Sequence, residues 1–154
     1  MLCTILTTIH IIRDAAQHCG YNRHMSNNVY IPGVCNIGPA EIRMRRVTGI
    51  VGLIATLLFF AWFYLYPIDP LGRLLIFIPA TTAASGFLQA QLHFCARFGM
   101  QGLFNFSSDI RKQESVDQAA FRRKDQQKAL IIIAGSAAIG LAVALVAFWL
   151  PFAN

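Results

Sequence analysis

Residues 47–68 read VTGIVGLIATLLFFAWFYLYPI, an uninterrupted run between Arg46 and Asp69 that holds no charged side chain. About 20 predominantly apolar residues cross the hydrocarbon core of a bilayer as a helix, so this stretch predicts a transmembrane span. The pattern recurs downstream. Residues 74–96, between Arg73 and Arg97, are also uncharged, although Thr81, Thr82, Ser85, Gln89, Gln91 and His93 make them less apolar. Residues 129–154, ALIIIAGSAAIGLAVALVAFWLPFAN, carry no charge after Lys128, and Pro151 is a natural stop. The expected fold is an all-α membrane protein with three transmembrane helices.

The composition agrees. The chain has 154 residues, 56% of them hydrophobic and 13% charged, with a formal net charge of +6 and a mean hydropathy of +0.52. Such a chain is too apolar for a disordered segment or a soluble nucleic-acid-binding domain. Nucleic acid is not an expected partner. The seven acidic residues are sparse, and no phosphate loop, paired acids at catalytic spacing or Ser/His/Asp arrangement stands out. No enzyme activity and no cofactor are expected.

Cytoplasmic flanks of membrane spans hold the excess of Lys and Arg. Arg13, Arg23, Arg43, Arg45 and Arg46 precede the first span; Arg97, Arg111, Lys112, Arg122, Arg123, Lys124 and Lys128 lie between the second and third; Arg73 stands alone in the short turn. With three spans, both basic segments fall on one side. The N-terminus and the long loop are therefore expected in the cytoplasm and the C-terminus outside, in a multi-pass protein of a bacterial plasma membrane. Trp62, Tyr64, Tyr66 and Trp149 would then form one aromatic belt at the external headgroups.

This divides the chain into a cytoplasmic N-terminal segment 1–35, a hairpin 36–105 with spans at about 47–68 and 74–96, a basic cytoplasmic loop 106–128 and the third span 129–154. Residues 1–24 fit an amphipathic helix without the form of a signal peptide, and Met25 is an alternative start. RKQESVDQAAFRRKDQQK, residues 111–128, has helix formers and no Gly or Pro, which predicts a helix running into the third span. Its basic residues would meet anionic lipid at the cytoplasmic face, at about 1 kcal/mol each. Pro39 suits the first position of a helix, with Gly38 as its cap, Asn36 hydrogen-bonding nearby and Glu41 in the first turn. Either a short interfacial helix or an early start of the first span is expected there.

Thr81, Ser85, Gln89, His93 and Arg97 recur at every fourth position, so a continuous helix would carry them as a slowly wrapping polar stripe. Polar groups in hydrocarbon face other helices or a wet cavity. The stripe is either a hydrogen-bonding seam against another span or a polar path inside an oligomer, with His93 as its titratable member. Thr48 and Gly52, and Ser136, Gly140 and Ala144, show the spacing that lets helix backbones approach closely. Cys35 and Cys95 would both lie toward the cytoplasm, where a reversible thiol pair is the functional reading and inert buried thiols the plain one. His93 and Cys95 point to opposite sides of a helix, which disfavours zinc.

Asn36-Ile37-Gly38, the basic residues Arg43 to Arg46, Gly49, Phe94-Cys95 and Gly102-Leu103-Phe104-Asn105 together resemble the YgaP-like family of small transmembrane domains. These domains occur alone or attached to membrane-bound rhodanese modules. The resemblance covers residues 36–105; Ala96 and Arg97 replace the family's Pro and its neighbour after the Cys, and the third span lies outside it. It implies a two-helix hairpin with both ends in the cytoplasm, and no activity. The expected function is a small accessory or scaffolding subunit, in a homo-oligomer or a larger membrane complex. The alternatives are a channel- or transporter-like oligomer lined by the polar stripe and a thiol- or sulfur-handling membrane protein.

Overall fold

The Gly38 carbonyl accepts the Ile42 N–H at 3.0 Å, and Pro39 opens the first helix, α1, which runs Pro39–Leu65 without a break. The early start of the first span is thus realised, with Pro39 where its missing N–H costs nothing. The computed structural model describes residues 30–150 apart from Pro67, Ser108 and Ile110. The expected amphipathic helix at 1–24, the alternative start at Met25 and the last four residues lie outside the described residues.

After α1, the Asp69 carboxylate accepts the Leu71 N–H at 3.1 Å and Pro70 takes the first helical position, starting α2 (Pro70–Arg73). A 3-10 turn, Leu74–Ile76, leads into α3 (Phe77–Gln91). Then come α4 (Ala96–Gln101), β1 (Leu103–Phe104), β2 (Glu114–Ser115) and α5 (Ala119–Trp149). Three helical stretches, Pro39–Leu65, Pro70–Gln91 and Ala119–Trp149, are long and apolar enough to cross a membrane. The chain is a multi-pass membrane protein by that measure.

Two element boundaries differ from the periodic reading. The second helical stretch ends at Gln91 rather than near Ala96, because His93 takes φ +50° and the Phe94 N–H donates to the Gln89 carbonyl at 3.1 Å. A left-handed residue with this bond is a helix C-terminal motif, and it turns the chain away. In the loop, the helix begins only at Ala119. Glu114–Ser115 is drawn into an antiparallel pair with Leu103–Phe104, so strand pairing overrides the helix propensity of residues 111–118. From Ala119 the basic stretch and the third span form one helix, as expected.

The chain divides into two units, whose described residues are 30–43 and 89–130 in the first and 44–88 and 131–150 in the second. In the second unit α3 packs on two sides. A Cβ on Gly86 would sit 2.6 Å from the Gly49 Cα, and one on Gly52 would sit 2.5 Å from the Ala83 nitrogen, so α1 and α3 touch backbone to backbone. On the other side a Cβ on Gly140 would overlap the Thr81 hydroxyl, so α5 meets α3 there. Lipid tails are as apolar as Leu, so helices in a membrane gain little from the hydrophobic effect and associate through such close contact. Toward one end Phe63, Ile76, Ala144 and Ala147 form a buried cluster, flanked by Phe59, Phe60, Ile68 and Val143. Arg73, 6% exposed, closes that end: its Nε donates to the Ile68 carbonyl at 2.9 Å and its Nη1 to the Leu150 carbonyl at 3.0 Å. A cation on the last carbonyls of α5 is also favoured by the helix dipole.

Candidate functional site

The buried polar side chains of the first unit are where sequence and structure bring chemistry together. Its apolar centre is Ile37, Cys95 and Phe98, with Ile42 and Leu103 against it. Around that centre Asn36, Glu41, Gln89, Asn105 and Asp125 are all at most 8% exposed. Burying such groups is costly unless they are hydrogen-bonded, and the partners are mostly main-chain atoms.

Asn36 bonds Cys95 twice: its Nδ2 donates to the Cys95 carbonyl at 3.1 Å, and its Oδ1 accepts the Cys95 N–H at 2.7 Å. Its backbone continues the link, the N–H donating to the His93 carbonyl at 3.3 Å and the carbonyl accepting from the Asn105 N–H at 2.9 Å. Asn36 was expected to assist the cap of α1; it instead joins three distant segments. Asn105 then holds the chain beyond β1. Its carbonyl accepts from the Gly38 N–H at 2.7 Å, its Oδ1 accepts from Ser107 N at 2.8 Å and its Nδ2 donates to the Asp109 carbonyl at 3.1 Å. The Gln89 Oε1 accepts the Ala96 N–H at 3.1 Å, which satisfies one of the open donors at the start of α4.

Asp125, on α5 and fully buried, is the second focus. Its Oδ2 accepts the Tyr30 hydroxyl at 2.6 Å and its Oδ1 accepts the Gly33 N–H at 2.6 Å. Gly33 sits at φ +73°, where any other residue is strained, and so brings its N–H to the carboxylate. The Tyr30 ring stacks on Phe104, 4.8 Å between centroids. Burial, with the Asp125 carboxylate beside it, pushes the Tyr30 hydroxyl well above the usual tyrosine range. Nothing in the sequence singled out Tyr30 or Asp125. The available signal was one acid inside the basic run 122–128, but its partners lie more than 90 positions away.

The predicted stripe does not persist as one face. Thr81, Ser85 and Gln89 lie on α3, His93 in the turn after it, and Arg97 on α4 with its side chain exposed. Gln89 and His93 are joined to the first unit, whereas Thr81 packs against Gly140 in the second. The hydroxyls in the spans mostly turn back on their own helices: Thr48 donates to Met44, Thr56 to Gly52, Thr82 to Ile78 and Ser136 to Ile132, each at 2.7–3.0 Å. The Thr81 hydroxyl is buried without a hydrogen-bond partner among the described residues. The contact of α3 with α5 at Gly140 is therefore steric rather than hydrogen-bonded. Cys35 and Cys95 are buried in the same unit, but Cys35 is disulfide-bonded and Cys95 is in no disulfide, so the two are not bonded to each other. Among the described residues no group of three or more His, Cys, Asp or Glu side chains could hold a metal ion.

The second unit contributes a groove of about 400 Å³ between α1 and α3, lined among others by Val51, Ala55, Phe59 and Ile78. Compared with family models, curated proteins and solved structures, the chain matches none.

Proposed function

We propose that the chain is a small accessory or scaffolding subunit of a membrane complex. The observation that carries this reading is the use of the buried polar side chains. Asn36, Gln89, Asn105 and Asp125 spend their donors and acceptors on the protein's own backbone and on Tyr30, which suits a shape-holding role and leaves little to act on a substrate. Meanwhile the spans keep broad apolar faces exposed, including Val47, Ile50, Leu57 and Leu58 on α1 and Ile131, Leu141 and Val146 on α5. Such faces fit lipid and the helices of other chains, in a homo-oligomer or a larger assembly.

The residues behind the YgaP-like resemblance fit the same reading. Asn36, Gly38, Cys95 and Asn105 are bonded to one another within the first unit, so the proposed kinship is one of chain construction. The basic flanks support a cytoplasmic N-terminus and anionic lipid at that face, in a bacterial inner membrane.

Purification in mild detergent from cells with native expression, followed by crosslinking and mass spectrometry, tests the proposal. A stoichiometric companion protein is expected; a chain with no companion that conducts ions or solutes in vesicles would replace it with the channel reading. Orientation has its own test. A cytoplasmic first unit sits in reducing surroundings, where the Cys35 disulfide should be open. Alkylation in intact cells is expected to trap a reduced Cys35, and a retained disulfide would put this unit outside.

A further inference from the structure

In α5 the change from charged to apolar sequence falls after Lys128, and the helix runs through it without a break. From Ala129 to Trp149 the helix rises about 30 Å, the thickness of a bilayer's hydrocarbon core. Lys128 therefore stands at the edge of that core and Lys124 about 6 Å above it, in the headgroup layer.

Positions three and four apart are neighbours on a helix surface, so Arg123, Lys124, Gln127 and Lys128 make one patch. The first three are exposed and Lys128 is half-buried. The opposite face is closed. Asp125, Ala129 and Ile132 are buried there, and Arg122 is turned away to the Val116 carbonyl, to which its Nε donates at 2.6 Å. Asp125 is the only acid of α5, and its carboxylate already accepts from Tyr30 and Gly33. Three cations and an amide donor thus share a face to which their own helix supplies no counter-charge. One turn deeper on that face Leu130 and Ile131 are 55% and 69% exposed. Cβ atoms tilt toward a helix's N-terminus, so the Lys128 stem rises from this apolar step and lifts its ammonium to the headgroups.

A face that is cationic at headgroup depth and apolar one turn below has the order of a phospholipid, phosphate above and acyl chains beneath. A zwitterionic headgroup brings a cation of its own, whereas three cations call for net negative charge. We propose that Arg123, Lys124, Gln127 and Lys128 bind the phosphate of an anionic phospholipid. The proposal rests on α5 crossing a membrane and gives the anionic-lipid part of the proposed function its residues.

The test uses the full chain in detergent micelles doped with equal amounts of phosphatidylglycerol and phosphatidylcholine, with native mass spectrometry to count retained lipids. The wild type is expected to retain phosphatidylglycerol in preference. Lys124→Gln with Lys128→Gln keeps helix propensity and should lower that preference at least about fivefold. Arg111→Gln with Lys112→Gln removes the same charge at exposed loop positions and should leave it unchanged. Lys124→Arg with Lys128→Arg should retain it, which separates loss of charge from damage to the fold. No preference in the wild type, equal losses in the two Gln pairs, or displacement of the lipid by inorganic phosphate would each overturn the proposal. Failure of the underlying membrane reading looks different, since alkaline carbonate would then extract the chain from membranes.

Discussion

The two units are built from opposite materials. In the first, buried polar side chains bond to groups far away in sequence: Asn36 to the Cys95 backbone, and Asp125 to the Tyr30 hydroxyl and the Gly33 N–H. In the second, hydroxyls fold back on their own helices and the contacts are made by what is missing, the side chains of Gly49, Gly52, Gly86 and Gly140. Directional bonds specify loops, which have no repeating geometry of their own. Where regular helices meet in lipid, neither side has water to escape, and only closeness distinguishes a protein neighbour from an acyl chain. The units should therefore fail differently: the first by loss of a partner atom, the second by gain of a methyl group.

The largest effect is expected at Asp125. Hydrogen bonds to a charged group contribute roughly 1.5–3 kcal/mol each, so Asp125→Ala, which removes two, should destabilise the first unit by about 3–6 kcal/mol. Limited proteolysis of the detergent-purified protein should cut residues 30–37 in this variant well before the wild type. Equal protection would mean that the carboxylate does not hold the segment. Tyr30→Phe removes one of the two bonds and should do proportionately less. It also changes the alkaline response. The folded Tyr30 hydroxyl titrates above its unfolded value, so its contribution is fully present below about pH 10 and fades as pH rises further. Circular dichroism against pH should show that fade in the wild type and a shallower one in Tyr30→Phe.

Next in size is Gly86→Ala. The new methyl would meet backbone atoms of Gly49 and Arg45, which cannot rotate away, and overpacking of this kind costs about 1–3 kcal/mol. A lowered midpoint in sodium dodecyl sulfate titration, with proteolysis of residues 30–37 unchanged, would confine the damage to the second unit. Arg73→Met should be of similar size, since it strips the Ile68 and Leu150 carbonyls of their donors while keeping the stem's bulk. If its unfolding midpoint matches the wild type, water or lipid headgroups replace the guanidinium there.

The same contrast explains what could be read from the sequence. The three spans announce themselves because long apolar runs set off by charged residues have one stable solution in a bilayer, and Gly38-Pro39 fixes the start of α1 by local chemistry alone. The small residues at 52, 136, 140 and 144 were legible as contact points, although not their partners: Gly52 meets Ala83 and Gly140 meets Thr81. The first unit was nearly invisible because its bonds join residues far apart, 59 positions for Asn36 with Cys95 and 95 for Tyr30 with Asp125. Periodicity also misled at the junction. Steps of four carried an imagined helix through His93 to Arg97, whereas the chain leaves the helix at Gln91, and nothing local marks the stop because a histidine stands where glycine or asparagine usually would.

That histidine supplies the smallest and sharpest test. A residue other than glycine in the left-handed region carries a strain of about 1 kcal/mol, and the bond from Phe94 N–H to the Gln89 carbonyl needs only the backbone. If the turn is all that position 93 provides, His93→Gly should stabilise the protein by at most about 0.5 kcal/mol, the relief of strain being largely offset by glycine's freedom in the unfolded chain. His93→Asn should fall between the two. A loss of stability in His93→Gly that His93→Asn does not share would show that a polar side chain is needed at the turn. A loss in both would show that the imidazole itself joins the first unit, and would move His93 from the description of a helix end to that of a site.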